Sequence, residues 1–467
     1  MAFQYTATYT DLYQLSMAQV YFKNKKGAEK AVFDYYFRKN PFGGGYTIFA
    51  GLQDLLKTLK KLQFSKEDLD FLKKENFDAD FLNYLKNFSF KGTIYSSQEG
   101  DVVFPNRPIL RVEASLIDAQ LIETILLNTL NFESLIATKA RRIRWIANDK
   151  TLIDFGLRRA QGTGGYAAAR AAFIGGFNGT SNVMAGLDYN IPVSGTMAHS
   201  FIQSYDEELT AFRAFAENRP EKCILLVDTY NTLTSGIPNA ITVAKEMESR
   251  GHKLLGVRLD SGDLAYFSRK ARKMLDDAGL NYVKIAASNQ LDERVIKSLQ
   301  EQKACIDIYG VGTSLVIGRP DAALDGVYKL VFYNNEPRIK LSENIFKITL
   351  PHIKQVFRIK DNNGSWIGAD AIGLANENRI EHMYHPHQPL KNMSLTGLNQ
   401  EPILQPVMKN GIITIPLKSL EEIRTYSLER FSQLPEEHKR FDNPHQYKIG
   451  ISNALKRERN ALMKQYK

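Results

Sequence analysis

The sequence predicts an α/β protein built around a closed or nearly closed (β/α) barrel, with a strand-rich N-terminal domain before it. From residue 150 onward, short apolar segments alternate with helical stretches at intervals of roughly 25 to 30 residues, which is typical of parallel strands joined by helical crossovers. The 467-residue length exceeds one ordinary domain, and 43% hydrophobic with 24% charged residues is a globular composition. We predict an N-terminal domain over 1–140, a barrel carrying the active site over 141–332, and an accessory region of strands and then helices over 333–467.

The N-terminal domain is predicted to combine short helices with a small strand-rich module. Residues 50–90 are expected to be helical because leucines recur at helical spacing, at Leu52, Leu55, Leu56 and Leu59. Residues 92–114 then carry β-rich runs broken by turn signals. Helical periodicity returns over 117–147, which contains neither proline nor glycine.

Seven apolar segments make up the predicted barrel. Seven strand–helix units favour a barrel over an open, doubly wound sheet, which remains the alternative. No G-x-G-x-x-G follows an early strand, and this weakens a dinucleotide-binding fold. The segments, each with its first residue, are TLIDFG (151), AAFIGGFN (171), IPVSGT (191), CILLVDT (223), LLGVRLD (254), VKIAAS (283) and CIDIYGVGT (305).

Polar residues follow one predicted strand after another. In a barrel, the C-terminal ends of the strands converge on one face, where active sites form. One polar strand end would be an ordinary helix cap, whereas seven in succession predict a shared pocket. We therefore expect His199, in the stretch VSGTMAHSF, to face this pocket and not the core. The polar segments are 154–159, 178–182, 194–196 with His199, 228–231, 258–263, 288–289 and 310–314.

The residue types in this predicted pocket suit phosphate and carboxylate groups. The stretch GVGTS (310–314) offers backbone N–H groups near a helix start, a competent phosphate cradle. In RLDSGD, Asp260 and Asp263 can hold Mg²⁺ through water or bind ribose hydroxyls, although a general acid or base role stays open. Arg158, Arg159 and Arg258 can face an anion in bidentate fashion. We predict a phosphorylated sugar and an acidic co-substrate.

Charge and cysteine content exclude several classes of protein. The net charge of +10 comes without zinc-finger spacing or an aromatic RNA-binding motif, so small phosphate-rich substrates explain it better than nucleic acid. Two cysteines, Cys223 and Cys305, cannot build a disulfide framework or a four-cysteine zinc site, and a reducing cytoplasm is expected. No signal peptide is expected at the N-terminus. No apolar run approaches the roughly 20 residues that span a bilayer, so no membrane partner is expected.

Nine sequence blocks together resemble the nicotinate phosphoribosyltransferase family, among the type II phosphoribosyltransferases. They run in order from residue 10 to about 330, and the likeness continues more weakly beyond. The resemblance implies an irregular α/β barrel with an N-terminal strand-rich domain, and a homodimer with a shared active site. It also implies synthesis of nicotinate mononucleotide from nicotinate and phosphoribosyl pyrophosphate in NAD salvage, coupled to ATP hydrolysis through a phosphohistidine. The blocks are TDLYQLSMAQVYF (10–22), FDYYFRKNPF (33–42), DFGLRRAQG (154–162), GGFNGTSN (175–182), SGTMAHSF (194–201), VDTYNT (227–232), GVRLDSGDL (256–264), YGVGTSL (309–315) and GVYKL (326–330).

The resemblance also implies roles for individual residues. His199 matches the histidine that ATP phosphorylates, and it is grouped with Asp260 and Arg258 as catalytic. Asp260 and Asp263 are expected to serve Mg²⁺. The expected nicotinate-binding residues are Tyr13, contributed across the dimer interface, with Phe155, Arg158, Ser181, Thr196 and Arg258. The expected phosphoribosyl- and phosphate-binding residues are Asp228, Ser261, Asp263, Ser288, Asn289, Gly312 and Thr313.

Ser181 bears on the choice between an acid and an amide substrate. Related nicotinamide-using enzymes carry an aspartate there, which suits an amide and would repel a carboxylate, whereas serine tolerates the acid. Quinolinate, with a second carboxylate, would need further basic residues. Nicotinamide- and quinolinate-using phosphoribosyltransferases remain the alternatives. Some relatives carry a cysteine-rich zinc knuckle, which two cysteines cannot build, so no zinc is predicted.

Overall fold

The computed structural model describes residues 5–388 and 390–466, which form two compact units. Unit 1 contains the residues up to Thr138 and those from Ala323 onward, and unit 2 contains Lys139–Ala322. This arrangement differs from the predicted three parts, because the C-terminal region belongs to the same unit as the N-terminal region. None of the described helices combines the length and the apolar character needed to cross a membrane.

The first part of unit 1 follows the predicted pattern of helices and strands. The leucine stripe is confirmed, since all four leucines are buried on one helix. The predicted strand-rich module over 92–114 contains three short strands. The helices are α1 (Leu12–Lys23), α2 (Leu52–Lys61), α3 (Lys66–Lys74), α4 (Ala79–Lys86), α5 (Leu116–Leu121) and α6 (Glu123–Ala147). The strands are β1 (Lys30–Phe37), β2 (Thr47–Ile48), β3 (Thr93–Ser96), β4 (Val102–Val103) and β5 (Leu110–Ser115), with a 3₁₀ helix at Pro41–Gly43.

Unit 2 begins within α6 and alternates parallel strands with helices. Its strands are β6 (Thr151–Asp154), β7 (Gly179–Thr180), β8 (Ile224–Leu226), β9 (Gly256–Leu259), β10 (Lys284–Ser288) and β11 (Ile308–Val311). Its further α-helices are α7 (Gly164–Ile174), α8 (Val183–Tyr189), α9 (His199–Gln203), α10 (Glu208–Asn218), α11 (Ile237–Ser249), α12 (Leu264–Asp277), α13 (Glu293–Glu301) and α14 (Thr313–Val316). Two 3₁₀ helices, Leu157–Arg159 and Pro220–Lys222, and a π-helix, Thr232–Gly236, complete the unit.

The strands of unit 2 form one parallel sheet in the order β7-β6-β11-β10-β9-β8. Two of the seven predicted strand segments differ from the prediction. Residues 171–174 of AAFIGGFN complete α7, and IPVSGT pairs with β7 only through an isolated bridge between Thr180 and Val193. Pro192 lacks the N–H that a longer ladder needs. No hydrogen bond among the described residues joins β8 to the Val193 segment, so the barrel is irregular.

The C-terminal region completes the sheets of unit 1. Its strands are β12 (Gly326–Tyr333), β13 (Glu336–Pro337), β14 (Lys354–Lys360), β15 (Trp366–Leu374), β16 (His382–Tyr384), β17 (Asn392–Ser394), β18 (Asn399–Pro402), β19 (Gln405–Lys409), β20 (Ile412–Ile413) and β21 (Lys448–Ser452). Its helices are a 3₁₀ turn at Ile345–Lys347, then α15 (Leu420–Gln433), α16 (Glu436–Lys439) and α17 (Asn453–Gln465).

Two large sheets and one strand pair organise unit 1. The first sheet has the order β13-β12-β1-β5-β3-β19-β20, the second has the order β17-β16-β21-β15-β14-β18, and β2 pairs with β4. Ion pairs inside the unit tie distant segments together: the fully buried Arg358 contacts Asp101 at 3.0 Å and Asp370 at 3.1 Å. Buried charges are tolerated only when they are paired in this way, so losing one partner would cost several kcal/mol, roughly 3 to 5.

Candidate active site

His199 lies among the polar residues that follow the strands of unit 2. It is the first residue of α9, and its side chain is 40% exposed. The Nδ1 atom is 3.1 Å from Thr229 Oγ1, and the Nε2 atom is 3.8 Å from Asp260 Oδ2. The imidazole is therefore held between a hydroxyl and a carboxylate while remaining open to a ligand.

Arg258, on β9, connects three separate segments around this histidine. Its Nε donates to Ser288 Oγ at 2.8 Å, and its Nη1 donates to Thr196 Oγ1 at 3.0 Å and to the Met197 carbonyl at 3.3 Å. Its Nη2 donates to Asp260 Oδ1 at 2.8 Å. One N–H of Nη2 has no acceptor among the described residues, and this donor is what a substrate anion could use.

Asp260 and Asp228 form the acidic part of the site. Asp228 Oδ2 accepts the Asp260 backbone N–H at 2.8 Å and the Ser261 hydroxyl at 2.7 Å. Asp228 Oδ1 is buried without a hydrogen-bond partner in the described parts of the chain. Burial raises the pKa of the Asp260 carboxyl, but the hydrogen bond from Ser288 and the charge of Arg258 outweigh burial and lower the pKa below its ordinary value. Asp260 is therefore ionised at neutral pH.

A cavity of about 390 Å³ lies next to these residues, inside the barrel. The Arg258 guanidinium lies 5.5 Å from the centre of the Phe155 ring, which follows β6. Gly310, on β11, makes room for that ring, because a Cβ there would come within 2.4 Å of it. The lining residues include Phe155, Ser194, Thr196, Arg258, Ala286 and Gly310. The cavity thus offers one aromatic face, one cation and three hydroxyls, from Thr151, Ser194 and Thr196.

Asp154 fixes the backbone at the end of β6. It is almost fully buried, and its carboxylate accepts the Gly156 N–H and the Thr180 hydroxyl, each at 2.8 Å. Its carbonyl accepts the Ser181 N–H at 2.8 Å. Burial raises the pKa of the Asp154 carboxyl more than these two donors lower it. These contacts position Phe155 and Ser181 on neighbouring strand ends.

Several predicted site residues form no hydrogen bond or ion pair with His199, Asp260 or Arg258. Arg158 is exposed on the 3₁₀ helix Leu157–Arg159, and Asn289 is exposed after β10 with a φ of 81°. Gly312 and the exposed Thr313 start α14, which follows β11. These residues and Ser181 follow strands of the same sheet, as predicted, but their roles stay predictions.

Asp263 has a structural role in the folded chain. It is the N-cap of α12, where its Oδ1 accepts the Tyr266 N–H at 2.9 Å. No hydrogen bond or ion pair joins its carboxylate to Asp260 or Asp228. An aspartate directly before a helix is a common N-cap, and this accounts for Asp263 in the folded chain.

Tyr13 lies in unit 1, on α1. Its side chain is 50% exposed, and its hydroxyl donates to Glu123 Oε1 at 3.3 Å. Partial burial, followed by the charge of Glu123, raises the pKa of Tyr13 to about 12. A phenol with that pKa stays neutral at physiological pH and presents an uncharged aromatic face.

The acidic residues suit a hard cation that a substrate brings with it. No group of three or more His, Cys, Asp or Glu side chains within 5–388 and 390–466 is arranged to hold a metal ion by itself. Mg²⁺ is usually held by one or two carboxylates together with substrate phosphates and water. The unpartnered Asp228 Oδ1 and the nearby Asp260 carboxylate fit that donor set.

Two residues of the site were missed at the sequence level. Thr229, the partner of His199, belongs to the polar segment 228–231, so its position after β8 was a signal. Ser194 lines the cavity and belongs to the segment 194–196. Which hydroxyl of a polar segment faces the pocket depends on the local backbone, and the sequence does not give it.

Three family models match the chain. The nicotinate phosphoribosyltransferase N-terminal domain matches residues 8–131, the nicotinate phosphoribosyltransferase family model matches 151–357, and the C-terminal domain model matches 353–459. Together they extend over most of the sequence and include every segment of the site described above.

Named relatives and solved structures agree with these matches. The chain is 44% identical to nicotinate phosphoribosyltransferase of Bacillus subtilis over 95% of this chain and 92% of the relative, and 38% identical to that of Dictyostelium discoideum over 96% and 87%. The crystal structure of human nicotinic acid phosphoribosyltransferase matches with a TM-score of 0.87 and 31% identity over 97% of this chain and 99% of that chain. A nicotinate-nucleotide pyrophosphorylase from Pyrococcus furiosus matches with a TM-score of 0.71 and 26% identity over 91% and 95%. This chain belongs to the nicotinate phosphoribosyltransferase family.

Proposed function

We propose that the chain transfers the phosphoribosyl group of phosphoribosyl pyrophosphate to the ring nitrogen of nicotinate. The products are nicotinate mononucleotide and pyrophosphate, and the step is coupled to ATP hydrolysis through His199. The observation that carries the proposal is the cluster of His199, Asp260 and Arg258 beside a cavity with an aromatic wall. This cluster provides a phosphoryl acceptor, a permanent anion and a permanent cation within one site.

The cavity suits a flat ring that carries one carboxylate. Phe155 offers a ring face. Arg258 offers the one N–H of its Nη2 that is not bonded to an acceptor of the described residues. Thr196 has its hydroxyl oriented by Arg258 and can also contact the ligand. The ring nitrogen attacks the anomeric carbon of the ribose, and the bond to pyrophosphate breaks. Because the substrate itself is the nucleophile, the protein contributes positioning and charge stabilisation.

His199 suits the ATP-dependent step. With Nδ1 engaged by Thr229, the Nε2 lone pair is available to attack the γ-phosphorus of ATP, and ADP leaves. Water later attacks the phosphohistidine, which gives phosphate and restores the imidazole. The overall balance is nicotinate, phosphoribosyl pyrophosphate, ATP and water to nicotinate mononucleotide, pyrophosphate, ADP and phosphate.

Asp228 and Asp260 would hold Mg²⁺ together with the diphosphate of the substrate. When bound, the ion would neutralise charge on the leaving pyrophosphate. Hydrogen bonds within the chain position these two carboxylates. Asp228 fixes the turn after β9 by accepting the Asp260 N–H and the Ser261 hydroxyl, and Arg258 holds Asp260 from the other side.

We also propose that the protein acts as a homodimer in which Tyr13 completes the partner's pocket. Exposed apolar side chains support an interface between copies: Leu12, Tyr13 and Val20 on α1 are 50 to 61% exposed, and Val183 and Leu187 on α8 are 70% and 82% exposed. Apolar surface of this kind is typical of protein contacts. The two free cysteines fit the reducing cytoplasm as its location.

A substrate comparison tests the proposed reaction. Purified protein is given phosphoribosyl pyrophosphate, Mg²⁺ and ATP with nicotinate, nicotinamide or quinolinate, and mononucleotide formation is measured. We expect product from nicotinate alone, and more of it with ATP than without. Comparable turnover of nicotinamide or quinolinate would contradict the assignment, since one free guanidinium donor and Ser181 would then not select for a single carboxylate.

A further inference from the structure

Unit 1 contains a cavity, partly open to solvent, that the proposed reaction does not use. We refer to it as the unit 1 cavity. Its lining residues come from β1, the segment before β5, the segment before β14, the first residue of β14, the turn after β16, and α17. The lining includes three buried cations, Arg107, Lys354 and Arg459, together with apolar or aromatic groups at Tyr36, Pro108, Phe346, Ile348 and Leu350.

Arg107 is a buried cation with spare hydrogen-bonding capacity. Its side chain is 0% exposed, and its Nε lies 2.9 Å from Asp370 Oδ2. Asp370 is shared, because Arg358 contacts the same carboxylate at 3.1 Å. The Nη2 of Arg107 has no hydrogen-bond partner in the described parts of the chain. A buried guanidinium nitrogen without a partner is costly, and a bound anion would remove that cost.

The other two cations differ in how they are neutralised. Lys354 forms an ion pair with Asp34 at 2.9 Å, and both side chains are at most 2% exposed. Arg459 forms no ion pair with a carboxylate among the described residues; its guanidinium donates to the Pro386 carbonyl and, at 3.1 Å, to Asn460 Oδ1. Its 9% exposure means that water solvates it little. Arg459 therefore leaves a local positive charge that no carboxylate of the described residues pairs, beside the partly satisfied Arg107.

One of the residues that line the cavity is an exposed aromatic ring. Phe346, on the 3₁₀ turn Ile345–Lys347, is 58% exposed, and its ring lies 5.2 Å from that of His387 at 70°. Burial, and then the charge of Arg459, lower the pKa of His387, so its imidazole is neutral at pH 7 and adds no cation. An exposed phenylalanine beside a neutral imidazole is a surface on which a flat ring can lie.

We propose that the unit 1 cavity binds a small organic anion that carries an aromatic ring. Its carboxylate or phosphate contacts Arg107 and Arg459, and its ring lies against Phe346. A bidentate guanidinium contact suits both head groups. The net charge of the cavity favours a ligand with one or two negative charges, because Asp34 and Asp370 already neutralise part of the lining.

Direct binding measurements test the site with two probes, benzoate for the carboxylate and adenosine 5′-monophosphate for the phosphate. Calorimetric titration is run on the full chain and on Arg459→Gln, Phe346→Ala and Arg258→Ala. We expect at least one probe to bind the unaltered chain, about tenfold more weakly to Arg459→Gln and several-fold more weakly to Phe346→Ala. Arg258→Ala should keep that binding, because Arg258 belongs to the candidate active site.

Two controls make the outcome decisive. Arg457→Gln removes the same charge from an exposed position on α17 and should leave binding unchanged. Phe346 is mostly exposed, so its substitution tests the cavity without a folding defect, which thermal unfolding checks. Binding of benzoate alone or of adenosine 5′-monophosphate alone identifies the head group. Binding of neither probe, or binding that only Arg258→Ala removes, overturns the proposal.

Discussion

The orientation of the His199 ring depends on residues from other strand ends. An isolated histidine after a strand suggests little by itself. Thr229 and Asp260, which come from two other strand ends, orient the ring, and its side chain stays 40% exposed. The sequence indicated the pocket from its repeated polar strand ends, but the partner of Nδ1 became clear only in the folded chain.

We predict that His199→Ala separates ATP use from mononucleotide synthesis. The ring nitrogen of the substrate, and not the histidine, attacks the ribose, so the variant should keep weak synthesis at high substrate while losing ATP stimulation. It should form no acid-labile phosphoprotein with labelled ATP. His252→Ala is the matched control, since His252 is in the same unit and pairs with Glu221 at 3.1 Å on the surface. Normal label incorporation by His199→Ala would identify another acceptor.

Thr229→Val is predicted to slow phosphorylation of His199. Valine keeps the shape of threonine and removes the hydroxyl that holds Nδ1 at 3.1 Å. A hydrogen bond of this kind contributes about 1 kcal/mol, so the rate of label incorporation should fall roughly fivefold. Thr229→Ser keeps the hydroxyl and should restore most of the rate. Equal rates in all three proteins would show that the hydroxyl does not orient the ring.

At the scale of elements, the apolar segments of the sequence placed most strands of unit 2 correctly, and two segments were assigned wrongly. The segments leading to Asp260, Asp228 and Ser288 were placed on strands whose ends meet, and the structure brings these residues into one hydrogen-bonded group. Two weaker segments were not regular strands: AAFIGGFN continues a helix, and Pro192 interrupts IPVSGT. Apolar runs of this length do not distinguish a buried helix end from a strand.

The α12 helix provides a test of Asp263. Because Asp263 caps this helix, Asp263→Ala should lower the free energy of unfolding by about 1 kcal/mol, measured by urea denaturation. Asp263→Ser keeps a capping oxygen and should restore stability. If the carboxylate also serves the ribose or Mg²⁺, both variants should raise the KM for phosphoribosyl pyrophosphate. A normal KM in the serine variant would show that Asp263 only caps α12 and does not bind the substrate or Mg²⁺.

At the scale of the whole molecule, the order of the chain did not predict its compact units. Residues 333–467 were expected to be accessory, because their mixed strands and charged helices carry no motif. In the structure β12 pairs with β1, and β19 pairs with β3, so this region belongs to unit 1. Pairing over such sequence distances depends on which strand edges remain open, and local patterns do not contain that information.

Mixing two variants that each lack ATP-stimulated activity tests the proposed dimer. Tyr13→Ala lacks the ring from unit 1, and His199→Ala lacks the phosphoryl acceptor from unit 2. If each site combines Tyr13 of one subunit with His199 of the other, each hybrid dimer contains one intact site of two. ATP-stimulated activity should then recover to about half of normal in the hybrids, and to about a quarter in a fully exchanged equal mixture. Labelled subunits would verify exchange. Exchange without recovery would mean that Tyr13 serves its own subunit's pocket or lies outside the pocket, and it would contradict the shared site.

The position of unit 2 within the sequence of unit 1 affects how the protein is made. When the N-terminal strands β1, β5 and β3 leave the ribosome, both outer edges of their three-strand group are unpaired, because β12 and β19 lie beyond residue 322. At roughly 5 to 20 residues per second, synthesis of the intervening segment takes about 10 to 40 s. Throughout that interval the nascent chain displays two open strand edges, the kind of surface that recruits chaperones and promotes aggregation. Translation speed across residues 139–322 is therefore expected to influence the yield of folded protein.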